Sequence, residues 1–133
     1  MNTDPRSLPE LPIAELGEGL WLLTEESLLS RWRSRLVMED VAPDVARAGG
    51  EFSLGDPGVE CSITWTFADG RLAVVRVTPL EGRAALDRLV HALGVAVSAL
   101  SPDGEGVESV ELEGRRVDVD RLDGVICLYE VPT

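Results

Sequence analysis

Few side chains in this sequence are reactive, and their spacing bounds the chemistry open to them. His91 is the one histidine among 133 residues. Asp87 precedes it by one helical turn, where a carboxylate can orient an imidazole. Cys61 and Cys127 complete the raw material of a Cys-His-Asp nucleophilic arrangement. The pattern argues against that assembly. His91 lies about 140° from the centre of its helix's apolar stripe, whereas Cys61 falls on the inward parity of a strand. A solvated histidine on a helix flank is the ordinary reading, and buried free thiols are the ordinary reading of both cysteines.

Metal and cofactor patterns fail on spacing. Asp118-Val119-Asp120-Arg121-Leu122-Asp123-Gly124 resembles a calcium loop, but it is one residue too long and ends on Tyr129 where a bidentate glutamate belongs. One histidine and two distant cysteines make no zinc set. Gly17-Glu18-Gly19 lacks the third glycine of a dinucleotide turn and its β-α-β surroundings. All 12 basic residues are arginine, so no lysine is available for a Schiff base or a phosphate loop. The expectation is a protein with no cofactor, no metal and no catalysis.

Charge narrows the partners. With 24 acids against 12 arginines the net charge is −12, which repels nucleic-acid backbones and anionic lipid. A basic protein partner is compatible with it. The first residues lack the basic start and apolar run of a signal peptide, and no run approaches the ~18 apolar residues of a membrane span, so the cytoplasm is the expected address.

The elements that must position any site follow from periodicity. Residues 1–12, with Pro5, Pro9 and Pro12, read as a flexible arm ahead of a single domain over 13–133. Gly19–Leu23 suggests a short strand. Thr24 is an N-cap, with Glu25 and Glu26 in the first turn of a helix predicted over 25–38; Leu28, Leu29, Trp32 and Leu36 share its apolar face. Residues 39–58 look irregular, with one helical turn from Pro43 to Ala48 stopped by Gly49-Gly50.

The strongest signal is the hairpin over 59–78. Val59, Cys61, Ile63, Trp65 and Phe67 alternate with polar residues. A three-residue loop, Ala68-Asp69-Gly70, sets Trp65 opposite Ala73 and Ile63 opposite Val75, keeping one face apolar, whereas a two-residue loop sets Ile63 against Arg76. Thr78-Pro79-Leu80-Glu81 then reads as a capping box opening a helix to about residue 100. Gly94 is its weak point, because it either sits inside that helix or ends it. The helix carries an apolar stripe (Leu86, Leu89, Val90, Leu93, Val97, Leu100) and a flat alanine stripe (Ala85, Ala92, Ala96, Ala99). The second stripe suits close packing on the first helix or self-association as a homodimer. Residues 107–112 and 115–119 pair around Glu113-Gly114, with Val110 opposite Val117. Residues 125–129 are apolar on both parities, as in a strand flanked on both sides.

Together these predict an α+β domain: an antiparallel sheet of about four to six strands with two main helices on one face. By elimination the expected function is a small acidic intracellular protein-binding module, of an inhibitor (immunity-type) or export-chaperone-like adaptor kind. The alternatives are a small-molecule or lipid-binding module with a cavity between sheet and helices, and a thiol or carboxylate enzyme. The candidate partner-binding residues are Thr64, Thr66, Leu72, Val74 and Arg76 on the hairpin's outer face.

Overall fold

A clean two-residue alternation over ten positions makes Val59–Ala68 the middle of a large sheet. The structure, a computed structural model, describes residues 8–11, 13–16, 20–54, 59–82, 85–92, 107–112, 115–120 and 122–130. In chain order the strands are β1 (Glu10–Leu11), β2 (Val37–Ala42), β3 (Val45–Leu54), β4 (Val59–Ala68), β5 (Arg71–Pro79), β6 (Val107–Leu112), β7 (Arg115–Asp120) and β8 (Val125–Glu130). The helices are α1 (Glu25–Trp32) and α2 (Leu86–Ala92), with 3-10 turns at Ile13–Leu16, Leu20–Leu22 and Arg33–Arg35. One sheet holds all eight strands in the order β1-β3-β4-β5-β8-β7-β6, and β2 also pairs with β3. The fold is therefore mostly β. The expected α+β domain with two main helices on four to six strands is overturned by an eight-stranded sheet with two short helices.

The largest correction lies between residues 37 and 54, expected to be irregular. They form the β2–β3 hairpin, with Val37 opposite Gly49 and Glu39 opposite Arg47. Pro43-Asp44 is its turn rather than a helix start, and Gly49-Gly50 lies inside β3 rather than stopping a helix. Gly50 is there for space. A Cβ built on it would stand 2.6 Å from the carbonyl oxygen of Arg35, where the chain leaving α1 crosses β3.

The β4–β5 register also differs from expectation. Asp69 (φ 53°) and Gly70 (φ 78°) are both left-handed, the signature of a two-residue type I′ turn, whose twist suits the flanking strands. Phe67 pairs with Leu72, the register then shifts, and Thr66 pairs with Val74, Trp65 with Val75 and Ile63 with Val77. Ala73 is thus the extra residue of a bulge. It lets a tight turn coexist with Val75 and Val77 on the apolar face.

Other elements match or end early. Thr24 caps α1 as expected: the Ser27 amide donates to Thr24 Oγ1 and the Thr24 amide to Ser27 Oγ, both at 3.1 Å. The helix stops at Trp32 rather than 38, and Leu20–Leu22 is a 3-10 turn rather than a strand. The capping box is not used. Thr78 and Pro79 finish β5, and the chain turns through Gly82 (φ 82°) before α2. Positions 93–100, including Gly94, lie outside the described residues. The β6–β7 register holds, with Val110 opposite Val117 and Glu111 opposite Arg116, and β8 lies between β5 and β7. At the arm's end the Ser53 amide donates to the Pro9 carbonyl at 2.9 Å, and β1 pairs parallel with β3.

One face of the sheet carries the core. Phe52, Ile63, Trp65, Phe67, Val75, Val77, Val117, Ile126 and Leu128 are buried there, with Leu28 of α1 and Leu86 and Leu89 of α2 in the same cluster. Trp32, Phe52 and Trp65 stack edge to face in series, with centroids 5.2 and 5.7 Å apart. This relay ties α1 to the middle strands. Trp21 is partly exposed at the margin of the same core.

Candidate functional site

The other face of the sheet is where the structure gathers accessible chemistry. Register fixes which residues meet. Across β3, β4, β5, β8 and β7, Arg47, Thr66, Val74, Tyr129 and Arg116 form one lateral row. The next row is Gly49, Thr64, Arg76, Cys127 and Asp118, continuing to Ser109 on β6. Side chains in such rows stand about 5 Å apart and act as one surface. Arg47, Thr64, Thr66, Val74, Arg76, Thr78, Cys127 and Tyr129 line a shallow shelf of about 530 Å³.

Of the residues the sequence singles out, Thr64, Thr66, Val74 and Arg76 are brought together here. Leu72 is not. The bulge at Ala73 reverses side-chain parity between Leu72 and Val74, so Leu72 turns into the core at 3% exposure. Arg47, Thr78, Cys127 and Tyr129 are the members that sequence reasoning missed. Arg47 belongs to a strand read as irregular, and Cys127 and Tyr129 come from a strand whose neighbour in the sheet sequence alone does not name.

Electrostatics single out Arg76. Arg116 is engaged: its guanidinium lies 4.5 Å from the Tyr129 ring centroid, and its Nε is 3.2 Å from Asp118. Asp118 also accepts from Ser109 Oγ at 2.6 Å. Arg47 reaches Glu39 only at 4.0 Å. The Arg76 side chain is exposed and makes no hydrogen bond or ion pair with any described residue. In a chain of net charge −12, a shelf lined by Arg47 and Arg76 and by no carboxylate departs from the average surface.

Thiol chemistry finds little here. Cys61 is fully buried, its thiol lies 3.6 Å from the Phe52 carbonyl, and burial pushes its pKa up to about 12, so it is protonated at neutral pH. Burial also raises the Cys127 thiol, against the opposing effects of a hydrogen bond with Tyr129 and of nearby Arg76. The Tyr129 hydroxyl is raised in turn by burial, then by Cys127. The side chain of His91 lies outside the described residues, although its backbone belongs to α2. Asp118 and Asp120 line the wet side of β7 while Val117 and Val119 are buried. Asp120 Oδ1 accepts the Leu122 and Asp123 amides at 3.0 Å, which makes it a turn former. Among the described residues, no group of three or more His, Cys, Asp or Glu side chains could hold a metal ion. No helix among them is long and apolar enough to cross a membrane.

The alanine stripe divides. Ala85 is fully buried in the core and is not available to a second copy. The side chain of Ala92, together with Ala96 and Ala99, lies outside the described residues. Comparison with known proteins gives no match: no family model, no curated protein and no solved structure is significantly similar to the chain.

Proposed function

We propose that the protein is a non-catalytic protein-binding module, an inhibitor or adaptor, that docks a carboxylate-bearing segment of its partner on the outer face of the sheet. The observation that supports this is Arg76, a guanidinium with no ion-pair partner among the described residues, at the middle of a shelf also lined by Arg47, hydroxyls, Val74 and Tyr129. Arginine and tyrosine are the side chains that most often anchor such interfaces, because each combines a stacking surface with hydrogen-bond donors. The chain's net charge favours a basic partner overall. The shelf itself selects the acidic part of whatever docks there.

The small-molecule reading has less behind it. The indentation between α1 and the sheet, lined by Leu11, Leu28, Trp32 and Trp65 among others, holds about 10 Å³, about the minimum for a single water. A homodimer is not needed to complete the shelf, because every residue that lines it comes from one chain.

The test is differential capture with immobilised wild type, Arg76→Ala, Val74→Asp and, as a control on an exposed turn, Leu122→Ser. A protein retained by wild type and control but released by both shelf variants, with melting temperatures unchanged, supports the reading. Equal retention by Arg76→Ala, or unfolding by Val74→Asp, overturns it.

A further inference from the structure

A second surface, adjoining the shelf where Glu39 approaches Arg47 at 4.0 Å, is the free edge of β2. We propose that β2 accepts an extended basic segment of another protein as an added antiparallel strand. β3 is its one partner among the described residues, and all six of its residues are exposed. Between Val37 and Asp40 the register is regular. In an antiparallel pair alternate residues bond to the neighbour, so two of these four aim their N–H and C=O away from β3. Nothing apolar covers the side chains either: Val37 is 76%, Met38 39% and Val41 46% exposed. An open edge with apolar side chains on both faces is a template for strand addition.

Charge decides the occupant. Glu39 and Asp40 sit in the middle of the edge, and Asp40 also lines a concavity of about 340 Å³ with Glu25, Asp44 and Asp69, where no basic side chain intrudes. A second copy is disfavoured. The fullest two-fold pairing of residues 37–42 sets Glu39 against Asp40 twice, between chains that each carry −12. The bulge between Asp40 and Ala42 limits that pairing further. The same carboxylates attract a strand that alternates basic and apolar side chains. Its valines would cover Val37 and Val41 on one face, and its cationic side chains would lie on the other, beside Met38 and Asp40, where one would reach the acidic concavity.

The probe is a labelled hexapeptide, Lys-Val-Lys-Val-Lys-Val, titrated into the full-length protein and followed by fluorescence anisotropy. Two isomers N-methylated on alternate backbone nitrogens report the geometry, since an added strand bonds along one of its edges only. The expected result is that one isomer binds like the parent and the other is lost. Glu39→Gln with Asp40→Asn should weaken the parent about tenfold. Arg76→Ala should leave it unchanged, which keeps this outcome separate from the fate of the shelf. Absence of binding at millimolar peptide, equal binding of both isomers, or equal affinity for Glu-Val-Glu-Val-Glu-Val would overturn the proposal.

Discussion

The middle of the sheet and its β2 edge are built from the same pleat but expose opposite properties. Strands β4 and β5 bury every inward residue from Val59 to Phe67 and from Val75 to Pro79, and present hydroxyls and arginine outward. Strand β2 buries nothing and presents valine, methionine and two carboxylates. The difference divides burial from exposure along the sheet. The middle supplies the core and a preformed, positively charged shelf. The edge adds little to the core and keeps its backbone bonding capacity available.

The largest effects should separate the two regions by stability. Trp65→Ala, at the end of the aromatic relay, is expected to cost ~3–5 kcal/mol in urea unfolding, whereas Val37→Thr on the edge stays within ~0.5 kcal/mol. Comparable losses at the two positions would end the distinction. A finer division exists within β3, which joins the regions. Gly50→Ala should cost ~1–3 kcal/mol because its Cβ meets the Arg35 carbonyl. Its neighbour Gly49, where a Cβ would find Thr64 Oγ1 at an ordinary 3.6 Å, should accept alanine without measurable loss. Equal tolerance at both positions would mean that the crossing of α1 over β3 is not tight.

The smallest effect is a pH dependence belonging to the middle alone. Cys61 has a folded pKa of about 12 against an ordinary 9.0. Above pH 9 the unfolded chain loses a proton that the folded chain keeps, so stability falls as pH rises toward 12, and is unaffected by this group below pH 9. The slope is about 1.4 kcal/mol per pH unit within that window. Between pH 8 and 10 the urea midpoint should fall further for wild type than for Cys61→Ala, which keeps only the smaller contribution of the raised Cys127 thiol. Parallel behaviour of the two would place the thiol in water.

What the sequence made legible was side-chain parity, and what it hid was count. Alternation in residues 59–67 and 117–120 identified the inward side chains correctly, because half-buried strands repeat every two residues regardless of what they pair with. The Thr24 cap and the Val110–Val117 pairing were readable for the same reason: both depend on neighbours close in sequence. Strands β2 and β3 were not. The run from Val45 to Leu54 contains Arg47, two adjacent glycines and Glu51, and its strand character comes from being clamped between β2 and β4. Tertiary pairing here outweighs a weak local preference. The shelf was half legible: Thr64, Thr66, Val74 and Arg76 lie on one hairpin, whereas Tyr129 and Cys127 arrive through β8, about fifty residues downstream in the chain. Leu72 was misplaced because a bulge leaves no signature in composition.

That bulge behaves as a phase shifter. One extra residue at Ala73 offsets the strand by half a pleat period, so everything from Val74 onward keeps a facing that the tight Asp69-Gly70 turn would otherwise invert. A turn one residue longer with Ala73 removed restores the same phase. Each change alone would exchange the two faces of β5, turning Arg76 toward the core and Val75 and Val77 toward solvent. Length variation in this hairpin is therefore constrained in pairs: an insertion at the tip is neutral to the sheet only when a deletion at the bulge accompanies it.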